Sequence, residues 1–270
     1  MRSCRLLCWL VAWAALCPVA ASAQSESGSG EALFTSRDAV WAAGFAAGTL
    51  VLAPLDVSIA TAVRDSSLQQ QPLISLSAGG LRLLGLPGTF LITGGMYAIG
   101  RLADRPVLAD IGLHSSEAVA LAAAITLGTK TLTGRARPYT DEGNSLNFAL
   151  GRGWMNDAYQ SLPSGHATVA FATAAAITAE VEERWPEAEL GVGGALFSAA
   201  ALVGASRVYH NVHWATDVMM AAGLGTFTGW KVTRYAHRNP DNPLDRWLLG
   251  VTLSPSPAGT SARLWLLPAF

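Results

Sequence analysis

Three short segments of the chain collect the residue types that handle a phosphate dianion. The first is Lys130-Thr-Leu-Thr-Gly-Arg-Ala-Arg137-Pro138. Lys130 and Arg137 are seven positions apart, about two turns of a helix, so both cations can point the same way before the proline stops the run. Alone, the pair reads equally well as solvated charge at a helix C-terminus, where the dipole favours cations. The second segment, Pro163-Ser164-Gly165-His166, precedes an apolar run that begins at Ala167. A tight turn opening a helix exposes backbone N–H groups that favour an anion, and the Ser164 hydroxyl can cap the helix or donate to the same oxygens. The third is Ser206-Arg207, five residues, then His213-Trp-Ala-Thr-Asp217. On a helix His213 and Asp217 would share a face, so the carboxylate can orient one imidazole nitrogen and leave the other as a nucleophile. The plain alternative is a surface i,i+4 pair contributing a few tenths of a kcal/mol.

Together the segments are complementary. Lys130, Arg137 and Arg207 can neutralise the dianion, Ser164 and the Gly165 amide can bind its oxygens, and His166 and His213 can flank the phosphorus, as in-line displacement requires. In this order they resemble the signature of the type 2 phosphatidic acid phosphatase and vanadium haloperoxidase superfamily: Lys-x6-Arg-Pro, Pro-Ser-Gly-His and Ser-Arg-x5-His-x3-Asp. Every specified position is present, and the resemblance runs from about Ser116 to Trp230. It implies that Lys130, Arg137, Arg207, Ser164 and Gly165 clamp the phosphate, and that His213, oriented by Asp217, becomes a phosphohistidine. It also implies that His166 is the general acid and later activates water. No metal or other cofactor is expected, and vanadate should inhibit.

Other histidines fit the chemistry less well. His210, His213 and Asp217 could be drawn as a metal triad, but the surrounding cations would repel a metal ion and ligation would occupy the nucleophile's free nitrogen. His114 and His237 read as loop or surface residues, and Trp214 as a packing residue.

The elements that must position these groups come after a leader. Arg2 and Arg5, an apolar stretch from Leu6 to Leu16 and Ala21-Ser22-Ala23 read as a secretory signal peptide over residues 1–23. Its removal takes away Cys4, Cys8 and Cys17, all three cysteines, and leaves 16 basic against 19 acidic residues. Disulfides and a cysteine nucleophile are then excluded, and the charge gives no footprint for nucleic acid. Residues 24–36 read as a flexible Ser/Gly/Glu tether, 37–247 as one helical domain, and 248–270 as a tail with a short hairpin.

The expected fold is an all-α bundle of about six helices, built on uncharged runs at residues 39–55, 83–100, 118–129, 167–179, 190–206 and 218–230. Their lengths straddle the roughly 20 apolar residues that a spanning helix needs. Arg101, Arg105, Lys231, Arg234, Arg238 and Arg246 fall at the ends away from the motifs, which suits a cytoplasmic face. Counting crossings from an exported N-terminus instead places Lys130 in the cytoplasm. The expectation is an exported, membrane-associated phosphatase whose partner is a phosphorylated lipid such as phosphatidic acid or undecaprenyl diphosphate. The alternatives are a soluble periplasmic acid phosphatase acting on a small molecule, a vanadium-dependent haloperoxidase and a silent phosphate-binding protein. The unbroken nucleophile and acid positions disfavour the last.

Overall fold

The computed structural model describes residues 35–239 and the backbone of residues 251–256 and 259–264. The leader and nearly all of the tether fall outside these residues. The first helix, α1 (Ser36–Leu52), opens on a capping box: the Thr35 N–H donates to Asp38 at 2.7 Å and the Thr35 hydroxyl accepts from the Asp38 N–H at 3.4 Å. A single 3-10 turn at Ala53–Leu55 leads into α2 (Asp56–Val63), followed by the one-turn α3 (Ser66–Gln69). Then come α4 (Pro72–Leu84) and α5 (Leu86–Leu102), set at 49° to each other across Gly85. The long elements α6 (Pro106–Thr133), α7 (Gly165–Arg184), α8 (Pro186–Tyr209) and α9 (Ala215–Arg238) complete the bundle. Proline stands in the first turn of α4, α5, α6 and α8, where its missing N–H has no intrahelical partner to lose. The tail pairs β1 (Val251–Ser256) with β2 (Gly259–Leu264) in antiparallel register.

Helix α7 is the axis of the bundle. Its Ala167, Ala170, Phe171 and Ala174 form the core with Ala200 and Val203 of α8 and Ala221 of α9. Small side chains let the helix backbones approach closely. A Cβ at Gly225 would meet the Thr168 carbonyl at 2.3 Å, and one at Gly229 would meet the Ala172 carbonyl at 2.3 Å. Here van der Waals contact between helix backbones does the holding.

The outer helices face something other than water. Spans Ser36–Val63, Pro106–Thr133 and Pro186–Tyr209 are long and apolar enough to cross a membrane, and α4 with α5 makes a fourth if the bent pair is one span. Only 17% of the apolar window in Ser36–Val63 and 22% of that in Pro186–Tyr209 is buried within the protein. Val40, Leu50, Val51, Leu76, Leu91 and Leu190 are each at least 70% exposed. An apolar belt of that extent is a membrane face.

Three local expectations change. The helix carrying Lys130 ends at Thr133, four residues before Arg137, because Gly134 takes a left-handed turn (φ 57°) and closes it with an N–H to the Lys130 carbonyl at 3.2 Å. Arg137 therefore lies in the following loop, and the two-turn spacing is not helical. Helix α6 is also more than twice as long as the uncharged run 118–129 within it, since Asp110, His114 and Glu117 lie inside the helix. His213 precedes α9 and is no helix neighbour of Asp217. Asp217 occupies the third position of α9, where it accepts the Trp214 N–H at 2.8 Å.

Candidate active site

The three motif segments meet at one end of the bundle. Lys130 comes from the last turn of α6, His166 from the first turn of α7, Arg207 from the last turn of α8, and His213 from the turn before α9. With Arg137, Gln160 and Gly165 they line a cavity of about 280 Å3 whose remaining wall includes Leu86, Ala123, Leu127 and Val169. The cavity is thus cationic on one side and apolar on the other.

Donors on the lining Arg207 and on Ser164, the neighbour of the lining Gly165, have no partner. The Ser164 hydroxyl and Nε and Nη1 of Arg207 are buried and make no hydrogen bond. Buried donors left unpaired cost roughly 1–3 kcal/mol each, so their convergence marks a place for an acceptor-rich ligand. Ser164 does not spend its hydroxyl on capping α7, although it is the residue at that position. The other two cations are anchored. Lys130 Nζ donates to the Gln160 carbonyl at 2.6 Å. Arg137 holds the Asp157 carbonyl and carboxylate, both at 2.9 Å.

The two histidines differ in their support. His213 is 3% exposed, and its Nδ1 lies 2.8 Å from the Ser161 carbonyl oxygen. A carbonyl only accepts, so Nδ1 carries the proton and Nε2 keeps a lone pair. The nearest Asp217 oxygen is 3.7 Å from the same Nδ1. Burial, with Lys130 nearby, pushes the His213 pKa down to about 3, which keeps the ring neutral. His166 has a similar bias: burial first, then Arg207, Arg82, Lys130 and Arg137, lower its pKa to about 4. Its ring packs on the break between α4 and α5, where a Cβ on Gly85 would lie 2.4 Å from His166 Cδ2.

Behind the cavity lies a buried network that the sequence reading did not include. Arg135, 3% exposed, donates to Asp217 Oδ1 at 2.5 Å, to Asp56 Oδ2 at 2.8 Å, to the Thr216 hydroxyl at 2.8 Å and to the Ser145 carbonyl at 2.9 Å. Asp217 Oδ2 accepts from the Ser161 hydroxyl at 2.5 Å. Asp56, fully buried, accepts the Thr216 N–H at 2.9 Å and its hydroxyl at 2.5 Å. Trp214 packs as expected, fully buried with its indole N–H on the Ala136 carbonyl at 2.9 Å. Arg135 pairs with Phe148 in an isolated antiparallel bridge. Arg135 faces the protein interior while Arg137, two residues on, lines the cavity; two positions on one extended strand would share a face, so the chain turns between them.

The remaining histidines divide. His210 is absent from the cavity wall and holds the Ser206 carbonyl through Nδ1 at 2.5 Å. His114 is no loop or surface residue: it lies within α6, 8% exposed, hydrogen-bonded to Glu180. His237, in the last turn of α9, stands against it with ring centroids 5.4 Å apart. A buried carboxylate on α7 explains the inward turn of both rings, and the sequence spacing gave no sign of it.

Comparison with known proteins agrees with this geometry. Residues 112–241 match the PAP2 superfamily, and this segment of the chain belongs to it. A lipid A 1-phosphatase of Porphyromonas gingivalis (strain ATCC 33277) is 39% identical over 72 residues, which is 27% of this chain and 15% of that protein. The chain thus matches well under two thirds of that relative's length. Among solved structures, a transmembrane PAP2 type phosphatidylglycerolphosphate phosphatase from Bacillus subtilis superposes with a TM-score of 0.55 at 21% identity, over 76% of this chain and 98% of that one. That likeness establishes a shared helical fold.

Proposed function

We propose that the chain is a phosphatase that removes phosphate from a membrane lipid through a phosphohistidine intermediate. The observation that carries this reading is the cavity itself, in which the unpaired donors of Arg207 converge with Lys130 and Arg137 between two neutral imidazoles, with the unpaired Ser164 hydroxyl next to the lining Gly165.

The steps follow from the side chains. The phosphate dianion fills the cradle and cancels the repulsion that strips His166 of its proton, so His166 takes one up and becomes an acid. The Nε2 lone pair of His213 attacks phosphorus, the bond from phosphorus to the lipid oxygen breaks, and His166 gives its proton to that oxygen. His166 then takes a proton from water as the water oxygen attacks phosphorus, and the P–N bond returns its electron pair to His213. The three fixed cations hold the equatorial charge throughout.

The apolar wall and the membrane-facing belt favour a substrate with acyl or prenyl chains. The named relatives act on lipid A and on phosphatidylglycerolphosphate, and phosphatidic acid and undecaprenyl diphosphate carry the same terminal phosphate. Arg101, Arg105, Arg184, Lys231, Arg234 and Arg238 lie at the opposite end of the bundle, and this bias supports a cradle on the exported side under the positive-inside rule. Phosphate release from a panel of lipid and soluble phosphates, with and without chelator, tests this reading. Lipid phosphates should turn over fully in chelator and His213→Ala should abolish release. Equal turnover of that variant, or turnover of soluble esters alone, rejects it.

A further inference from the structure

The end of the bundle away from the cradle holds a second cluster of ligating side chains. His114 of α6, Glu180 of α7 and His237 of α9 each offer one ligand atom, and these atoms lie within 4.8 Å of one another. His237 Nε2 is 3.2 Å from Glu180 Oε1, and His114 Nδ1 is hydrogen-bonded to the same oxygen. Glu180 has no solvent exposure at all. His166 and Glu180 stand near opposite ends of the 20-residue α7, so this cluster takes no part in phosphoryl transfer.

We propose that His114, Glu180 and His237 form a binding site for a divalent first-row transition metal of the zinc class, which ties α6, α7 and α9 together. Two imidazole nitrogens and one carboxylate oxygen are a ligand set that suits zinc, with the fourth position open to water. Metal–ligand bonds of about 2.0–2.2 Å set donor atoms roughly 3.3–3.5 Å apart; the 3.2 Å between His237 Nε2 and Glu180 Oε1 is close to this, while the hydrogen-bonded His114–Glu180 pair is closer and opens to admit the ion. His237 is half-buried with its side chain 26% exposed, which leaves an entry path and room for the water.

The surrounding charges fit this use. Arg184 holds the second oxygen of Glu180, as an outer partner that orients a ligating carboxylate does. Its charge is countered by Asp110, whose carboxylate lies 3.3 Å from Arg184 Nη2, and Glu183 also lies within electrostatic range of His237. Arg184 Nη1 also lies 3.5 Å from His237 Nε2, so a dication enters as this guanidinium turns away toward Asp110. Binding through Nδ1 replaces the hydrogen bond between His114 and Glu180, and the imidazole proton then sits on Nε2.

The test uses the full chain in detergent with any histidine tag removed. Protein stripped with chelator is exposed to zinc, desalted and assayed for metal content and thermal unfolding. About one zinc per chain should be retained, with a melting temperature about 5 °C or more above the stripped protein. His237→Gln should lose both effects while its stripped form still releases phosphate, which shows that the variant folds. Cobalt added to the unmodified chain should give the visible absorption bands of a four- or five-coordinate site. No retained zinc with no thermal shift, equal retention by His237→Gln, or a cobalt spectrum of the free aqueous ion each overturns the proposal.

Discussion

The Nδ1 atom of His213 is 2.8 Å from the carbonyl oxygen of Ser161. The residue four positions along, Asp217, is 0.9 Å farther from that nitrogen, at 3.7 Å. The proton position on the imidazole is set by a main-chain acceptor, and Asp217 acts by fixing the segment that carries it. It does so through the Ser161 hydroxyl at 2.5 Å, the Trp214 N–H at 2.8 Å and Arg135 at 2.5 Å. Asp217→Asn should therefore lower kcat by about 10²-fold, through misplacement of His213, while Km changes little. Ser161→Ala keeps the carbonyl and should cost less than Asp217→Asn. A larger loss in Ser161→Ala would show that the hydroxyl does more than position the loop.

Arg135 holds two buried carboxylates together, Asp217 and Asp56, which arrive from α9 and α2. Removing one partner of a buried charge network costs about 3–5 kcal/mol, because the carboxylates are left uncompensated. Lysine keeps the charge but cannot supply the fork of donors that reaches Asp56, Asp217 and Ser145 at once. Arg135→Lys and Arg135→Ala should both lower the melting temperature, and Arg135→Lys should not rescue activity. Denaturation in detergent followed alongside phosphate release checks this.

The meeting of the three segments was legible from the sequence because their chemistry is complementary without coordinates: charges of one sign, a Pro-Ser-Gly turn and two histidines suit the surroundings of an anion. The cavity does bring together Lys130, Arg137, Gly165, His166, Arg207 and His213, with the Ser164 hydroxyl unpaired beside it. The PAP2 match and the all-helical fold agree with the resemblance. What spacing could not show was local geometry. Arg137 leaves the helix at Gly134, since a left-handed residue ends α6 before the proline does. Asp56 joins the network from 79 residues before Arg135, a contact made by tertiary folding alone. His114 reads as a loop or surface residue in the sequence, and only its meeting with Glu180, 66 residues away, makes its burial tolerable.

The pKa of His166 is lowered to about 4, whereas the acid role proposed for it requires a proton on the ring. Four cations push it down in addition to burial, so a dianion in the cradle must raise it. Above about pH 5 the free ring is neutral and a bound dianion raises its pKa, so inorganic phosphate or vanadate should bind with uptake of a proton. Affinity should then fall as pH rises through the raised value in the complex. Calorimetric titrations in two buffers of different ionisation enthalpy measure this uptake. The wild type should take up close to one proton when vanadate binds, and His166→Asn close to none. His213, held near 3, should stay neutral across the same range and contribute no acid limb above about pH 4.

Gly85 sets the shape of the cradle from outside the motif segments. It joins α4 to α5 at 49°, and any side chain there would drive a Cβ to 2.4 Å from His166 Cδ2 and 2.9 Å from Cβ of the same histidine. Neither helix can yield easily, because α5 packs along α6 and α4 lies against α8. The ring of His166 must then rotate out of line with the leaving oxygen. Gly85→Ala should therefore fold and still bind vanadate, through Lys130, Arg137 and Arg207, yet turn over lipid phosphate about 10²-fold more slowly. A phosphate ester whose leaving alcohol is already acidic needs no proton from His166, so p-nitrophenyl phosphate should lose far less rate than a lipid phosphate in the same variant. Equal losses on both substrates would place the damage in phosphate binding instead of proton transfer.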